Sequence, residues 1–343
     1  MNRTGIVTDD LFIQHDPGAF HPESPDRLRS IHRAIEESGL RRKLQAVAPR
    51  PATVEEITRI HTRKHYERVE STEGREVALD ADTQTSAASF RAALLAAGGT
   101  CALVEAVVRG DLENGFALVR PPGHHAERDR AMGFCLFNNL AIAAQHARVA
   151  LGVERVMIVD WDLHHGNGTM HAFQDRQDVL FCSTHQYPFY PGTGGLTEVG
   201  TGSGAGYTIN VPLPPGMGNA EYCAIFQDIF RPVAEQFAPQ LLLVSAGFDI
   251  YREDPLGGMK VSAEGFGLLT SQVMAMAAAS AERRVVLVLE GGYHLEGEAQ
   301  GVVCCLQSLL GERPPLERAG ELSPIAQRVI AQVRKTHSHR WSF

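Results

Sequence analysis

Val156-Met157-Ile158-Val159-Asp160-Trp161-Asp162-Leu163-His164-His165-Gly166-Asn167-Gly168 turns an apolar run into a dense polar cluster. The first four residues are aliphatic with no polar alternation, the pattern of a strand buried on both faces. Two carboxylates and two imidazoles follow where the chain should leave the sheet. Aspartate and histidine are ligands a catalytic zinc takes when one coordination position must stay open. In open α/β sheets, reactive groups gather outside the carboxyl ends of strands. The stretch therefore predicts a parallel sheet with a metal site at one edge. On an extended stretch Asp160, Asp162 and His164 share one parity and point the same way, whereas His165 points oppositely and is read as structural.

Similar short runs recur outward from this segment: Gly5–Val7, Phe116–Val119, Val179–Cys182, Tyr207–Val211, Leu241–Val244 and Val285–Leu289. Helical patterns separate several of them: Ser24–Ser38, Ser86–Arg109, Leu136–Leu151, Asn219–Phe237, Ser262–Ala281 and Glu296–Leu310. Strand alternating with helix implies an α/β fold, with a mostly parallel central sheet covered by helices on both faces. The stretches Gln186–Gly206, Ala78–Thr85 and Gly123–Met132 are read as functional loops. No linker or repeat divides the chain, so residues 1–343 are expected to form a single domain. Two histidines near the end, His337 and His339, are expected to be solvated.

The 343 residues carry a net charge of −8, which argues against a general nucleic-acid binder with a basic face. Six scattered cysteines, with no Cys-x-x-Cys pair, fit reduced thiols in a cytoplasmic protein. The amino terminus lacks the apolar core of a signal peptide. No apolar run is read as approaching the roughly 18 residues that span a bilayer, so no membrane association is expected. A homo-oligomer is compatible with the sequence.

Three other strand ends deliver polar residues. Arg120-Pro121-Pro122-Gly123-His124-His125-Ala126 presents adjacent histidines. Proline restricts that backbone and glycine permits positive φ, so a tight turn could aim both rings at one site. Ser245-Ala246-Gly247-Phe248-Asp249 ends on a single carboxylate that would complete an Asp-His-Asp ligand set with Asp162 and His164. Glu290-Gly291-Gly292-Tyr293 bends at paired glycines and brings a phenol toward the cleft, where it could donate to a developing oxyanion.

These segments occur in order with Gly133-Phe134-Cys135-Leu136-Phe137-Asn138-Asn139 and Asp254-Pro255-Leu256-Gly257-Gly258. Together they resemble the zinc-dependent histone deacetylase family, closest to its class II branch and its bacterial deacetylase-like amidohydrolases. The resemblance begins near His21-Pro22-Glu23-Ser24-Pro25-Asp26-Arg27 and runs to about Leu310. It implies an arginase/deacetylase-like fold and removal of short acyl groups from acyl-lysine in proteins or peptides.

By this resemblance Asp162, His164 and Asp249 are the zinc ligands. His125 is the general base and acid, and His124 holds charge with Asp160 as its partner. Asn167 pairs with His125 in the class II manner and leaves it less basic, and Tyr293 polarises the substrate carbonyl. Phe134 and Tyr190 match the aromatic pair lining an acyl-lysine tunnel, with Phe189 competing for the second place. Gly133 offers a carbonyl to the substrate amide, Asp82 anchors the substrate backbone, and Arg27 stands behind the metal. The resemblance also implies a structural potassium near Asp160, Asp162, His164 and Ser183.

Three alternatives remain beside this reading. An acetylpolyamine deacetylase of the same fold would use an acidic gatekeeper where this chain has Leu256. An arginase-like ureohydrolase would hold two manganese ions. A non-catalytic acyl-binding module would not need the full set of polar residues.

Overall fold

The computed structural model describes residues 3–312 and 321–343. Eight strands form one sheet: β1 (Thr4–Val7), β2 (Gln45–Ala46), β3 (Asn114–Ala117), β4 (Val156–Asp160), β5 (Val179–Gln186), β6 (Thr208–Leu213), β7 (Leu241–Ala246) and β8 (Val285–Leu289). Their spatial order is β2-β1-β3-β8-β7-β4-β5-β6. Every pairing is parallel. All carboxyl ends therefore open on the same edge. The chain leaves β3, skips two positions to β4, and later returns to fill the gap with β7 and β8. This is the reversal point at which open α/β sheets bind ligands.

The strands form where the apolar runs predict them because their side chains are buried on both faces. Val156, Met157, Ile158 and Val159 have no exposed surface, nor do Leu241 to Val244 or Val285 to Leu289. One helical group, Ser89–Val108 with Asn139–Ala150, packs on β3, β7 and β8. A second, Ala263–Ser280 with Leu295–Leu309, packs on the same strands from the other face, and Asp26–Glu37 packs against Leu295–Leu309. The strand β2 is absent from the sequence reading: it has two residues, both exposed, and no apolar signature.

Four further expectations need correction. The helix Ser89–Val108 is long and apolar enough, by length and composition, to cross a membrane. Its Ala/Gly-rich middle conceals that run from a search for branched aliphatics, and in the fold two thirds of its apolar window is buried. The pattern Asn219–Phe237 is an α-helix to Ile225, a π-turn over Phe226–Phe230 and an α-helix from Arg231. Pro232 lacks an N–H and crowds the carbonyl four residues back, and a widened turn relieves both. The tail is not simply solvated: Pro324–His337 is a helix and His337 is fully buried, whereas His339 is exposed. Finally, Gly123 does not sit at positive φ; a Cβ there would lie 2.6 Å from the backbone nitrogen of Asn139, so close approach is what demands glycine.

Candidate active site

The ends of β3, β8, β7 and β4 lie side by side and build one constellation. Asp160, the last residue of β4, pairs in register with Ser183 of β5 and Ser245 of β7. The chain then bends, and each carboxylate is oriented by backbone N–H groups. Asp160 Oδ1 accepts from the nitrogen of Asp162 at 3.1 Å, and Asp162 Oδ1 accepts from that of His164 at 2.9 Å. Asp249 Oδ1 accepts from the nitrogen of Leu163 at 2.7 Å. The three predicted ligands converge: His164 Nδ1 lies 3.2 Å from Asp162 Oδ1 and 3.0 Å from Asp249 Oδ2.

This donor set fits a divalent cation. Asp162 and Asp249 have no exposed surface. Burial, then the nearby Asp162 charge, pushes the Asp249 carboxyl up to about 7. Two dry carboxylates crowded together favour positive charge beside them, which a divalent ion would supply. Two carboxylates and one imidazole also match the ligand chemistry of a catalytic zinc with an open position. Among the described residues a second group, Glu56, Cys101 and His146, could also reach one ion. There Arg50 already supplies the charge, bonding Glu56 at 2.6 Å and Glu105 at 2.9 Å.

The His124–His125 turn enters from β3. Its two rings sit 4.0 Å apart, tilted by 43°. His124 Nδ1 is 3.1 Å from Asp160 Oδ2. Burial opposes a charge on His124, but Asp162, Asp160 and Glu290 outweigh it and raise its pKa to about 10. His125 Nδ1 lies 2.7 Å from Asn167 Oδ1. Burial, with His124 and His164 adding repulsion, holds His125 well below the usual imidazole range. The surroundings thus favour a charged His124 and a neutral His125, the separation expected of paired groups with different tasks.

The β8 end supplies the remaining wall. Gly292 has φ +130°, a backbone that side chains avoid, and a Cβ on Gly291 would lie 2.6 Å from Asp249 Oδ2. The glycines therefore let the chain pass directly over the ligands and deliver Tyr293. Burial raises the Tyr293 phenol well above its ordinary pKa, so it stays a donor. Arg27 lies behind it, its guanidinium carbon 5.4 Å from the ring centroid. Fully buried, Arg27 bonds Glu298 at 2.6 Å and Glu23 at 3.1 Å and donates to the carbonyls of Gly292 and Glu290.

A cavity of about 80 Å³ reaches this floor, lined by Asp82, His125, Gly133, Phe134, His164, Tyr190, Leu256 and Tyr293. Asp82, Gly133, Phe134, Tyr190 and Leu256, expected from sequence to meet the substrate, are brought together in this lining. Tyr190 meets His125 edge-on at 5.2 Å, while Phe189 stacks on His164 at 5.6 Å, so Tyr190 is the one that lines the cavity. Phe134 meets Tyr293 at 90° and holds φ +69°, rare for a bulky residue. That turn is fastened by Asp82 Oδ1, which accepts from the nitrogen of Gly133 at 3.2 Å, and by Thr83, whose hydroxyl accepts from that of Phe134 at 3.1 Å. His165 lies outside the cavity lining, its Nδ1 2.7 Å from the Thr193 hydroxyl. All six cysteines are buried.

Two groups escaped the sequence reading. Glu290 Oε2 accepts from the backbone nitrogens of Gly123 at 2.7 Å and His124 at 3.1 Å, and so carries the histidine turn. Its place in Glu-Gly-Gly-Tyr is visible in the sequence, but nothing there shows that it reaches the histidine turn. Glu127 bonds Asn167 from behind at 2.6 Å. Nothing but its nearness in sequence to His125 could have signalled it.

Comparison with known proteins agrees with this arrangement. Residues 21–309 match the family model described as histone deacetylase domain. A probable deacetylase of Archaeoglobus fulgidus is 40% identical, over 86% of this chain and 82% of its own. Histone deacetylase 9 of Homo sapiens is 39% identical over 96% of this chain, which spans 35% of that longer protein. Histone deacetylase 5 of Arabidopsis thaliana is also 39% identical, with 99% and 54% covered. The crystal structure of the HDA15 HD domain superposes with a TM-score of 0.94 at 36% identity, covering 99% of this chain and 95% of that one. The chain belongs to the histone deacetylase family.

Proposed function

We propose that this protein is a zinc-dependent amidohydrolase that removes acetyl or other short acyl groups from the side-chain amide of acyl-lysine in proteins or peptides. The observation that carries the reading is the meeting of Asp162, His164 and Asp249 with His125 and Tyr293 at the floor of one narrow cavity. Asp162, His164 and Asp249 would hold the ion, which supplies Lewis-acid polarisation of the amide and acidifies water. Asp160, Asp162, His164 and Ser183 would hold a structural potassium where β4 and β5 pair.

The chain's own groups supply the remainder. His125 has its Nδ1 engaged by Asn167, which leaves Nε2 to take a proton from water and return it to the departing amine. His124, charged and braced by Asp160, places a fixed positive charge beside the developing oxyanion. The Tyr293 hydroxyl donates to that oxygen. Phe134, Tyr190 and Leu256 enclose an alkyl stem and exclude water, the Gly133 carbonyl accepts the amide hydrogen, and Asp82 meets the substrate backbone at the mouth. We assign the enzyme to the cytoplasm because its six scattered cysteines, with no Cys-x-x-Cys pair, fit reduced thiols.

The rival substrate is an acetylated polyamine. Leu256 at the rim of the cavity favours acyl-lysine, because a cationic chain gains nothing from a leucine there. Turnover of acetyl-lysine peptides and acetylputrescine by protein with a measured metal content tests the reading. The expected result is one zinc per chain and preference for the peptide. A strong preference for acetylputrescine, or two manganese ions per chain, would overturn it.

A further inference from the structure

Behind His125 a chain of hydrogen bonds runs outward to the surface. His125 Nδ1 lies 2.7 Å from Asn167 Oδ1. Asn167 Nδ2 donates to Glu127 Oε1 at 2.6 Å, and the same oxygen lies 2.8 Å from His171 Nδ1. Asn167 and Glu127 are buried, whereas the His171 side chain is 36% exposed. Asn167 and His171 stand four residues apart on the helix Asn167–Phe173, so both address Glu127 from one helix face. Glu127 is itself tied down: its carbonyl lies 2.8 Å from His61 Nδ1, and its nitrogen donates to the carbonyl of Arg130 at 3.0 Å.

A primary amide has one end that donates and one that accepts. An ionised carboxylate only accepts, so Glu127 takes the NH2 end of Asn167. The oxygen must then face His125. That oxygen also only accepts, so the hydrogen of the neutral imidazole has to sit on Nδ1. Nε2 is left with its lone pair. An amide turned the other way would present N–H to Nδ1 and move the hydrogen to Nε2, where it blocks proton uptake.

We infer that Glu127 and His171 are positioning residues, which hold the Asn167 amide in the one orientation that leaves His125 able to accept a proton at Nε2. The inference rests on the proposed role of His125 in amide hydrolysis. His171 acts at one remove, by keeping Glu127 ionised and in place. The Glu127 bond raises the His171 pKa against the pull of burial; Glu198 adds to the rise and Arg130 opposes it.

The test compares Glu127→Gln, Glu127→Leu and His171→Leu with the parent enzyme on an acetyl-lysine peptide. Nitrogen NMR of histidine-labelled protein reads the His125 tautomer independently of turnover. Glu127→Gln keeps an acceptor for Asn167 and should stay within about threefold of the parent kcat. Glu127→Leu should lower kcat by roughly tenfold to a hundredfold, with KM within about twofold, and its NMR should show hydrogen on Nε2. His171→Leu, at the surface, should lower kcat by about threefold to tenfold and decides the matter if Glu127→Leu does not fold. Unchanged kcat and tautomer in the folded leucine variants would overturn the inference, as would a loss in Glu127→Gln equal to that in Glu127→Leu. If the parent hydrolyses no acyl amide while Glu127→Leu still shifts the tautomer, the deacylase reading fails and the positioning role stands.

Discussion

The backbone nitrogen of Gly291 donates to Asp162 Oδ2 at 2.9 Å, joining the ends of β8 and β4 across the strand that lies between them. The bond aims a candidate metal-ligating carboxylate and at the same time brings the chain so near that no side chain fits. A Cβ at Gly291 would lie 2.6 Å from Asp249 Oδ2 and 2.8 Å from Asp162 Oδ2. Gly291→Ala is therefore expected to keep the fold, weaken zinc binding by about tenfold or more, and lose activity in proportion. Zinc titration beside circular dichroism checks this; parent-like affinity would contradict it.

His125→Ala and Tyr293→Phe remove groups that act on the substrate, not on the fold. The first should lower kcat by roughly a hundredfold or more, the scale of general acid–base catalysis. The second should cost about a hundredfold to a thousandfold, the scale of one oxyanion donor. Zinc content should be unchanged in both, whereas Asp162→Ala should lose the metal. Full activity in Tyr293→Phe would remove the phenol from the mechanism.

Glu290 supports the histidine turn through two buried N–H groups. Glu290→Leu would leave both without an acceptor, at about 1–3 kcal/mol each. The expected loss in urea unfolding is about 2–5 kcal/mol, accompanied by lower kcat. Glu290→Gln keeps an acceptor oxygen and should lose about half of that or less. Equal losses in the two variants would show that charge, not acceptance, is what the turn requires.

His61 sets a pH dependence of stability. Its Nδ1 faces the Glu127 carbonyl at 2.8 Å and its Nε2 accepts from the nitrogen of Asn138 at 2.9 Å, so a second proton has no place. Burial, then the neighbouring His65, lowers its pKa to about 3. An unfolded histidine titrates near 6.5, so between these values the unfolded state binds more protons. Stability from this group is present above about pH 6.5 and is lost as pH falls toward about 3. Between about pH 7 and about pH 5 the parent should lose about 2 kcal/mol that His61→Gln does not. Urea unfolding at both pH values measures the difference, and parallel losses would refute it.

The fold was legible wherever strands were buried on both faces. Val156–Val159, Leu241–Val244 and Val285–Leu289 need uninterrupted aliphatic residues, and such runs stand out. Elements held by context did not show. The strand Gln45–Ala46 is exposed, and the helix Pro324–His337 hides a buried histidine among polar neighbours. Sequence pointed to the candidate ligands and cavity-lining residues because their types are restricted by chemistry, and the structure brings them together. Glu290 and Glu127 act on backbone or on another side chain, and only the packed structure brings them beside His124 and Asn167. Asn167, read from resemblance as the partner of His125, is also the first residue of a helix, which places His171 beside it.

The strands that carry the ligand, histidine and tyrosine turns are neighbours in space but end near residues 117, 160, 246 and 289 of the chain. A partly folded chain lacking β8 still has its ligand residues in sequence but lacks the Gly291 nitrogen that orients Asp162. A metal bound by the proposed ligands would draw the folding equilibrium toward the finished structure. The ion would then serve as a checkpoint on biosynthesis: a chain that retains it has closed its last central strand.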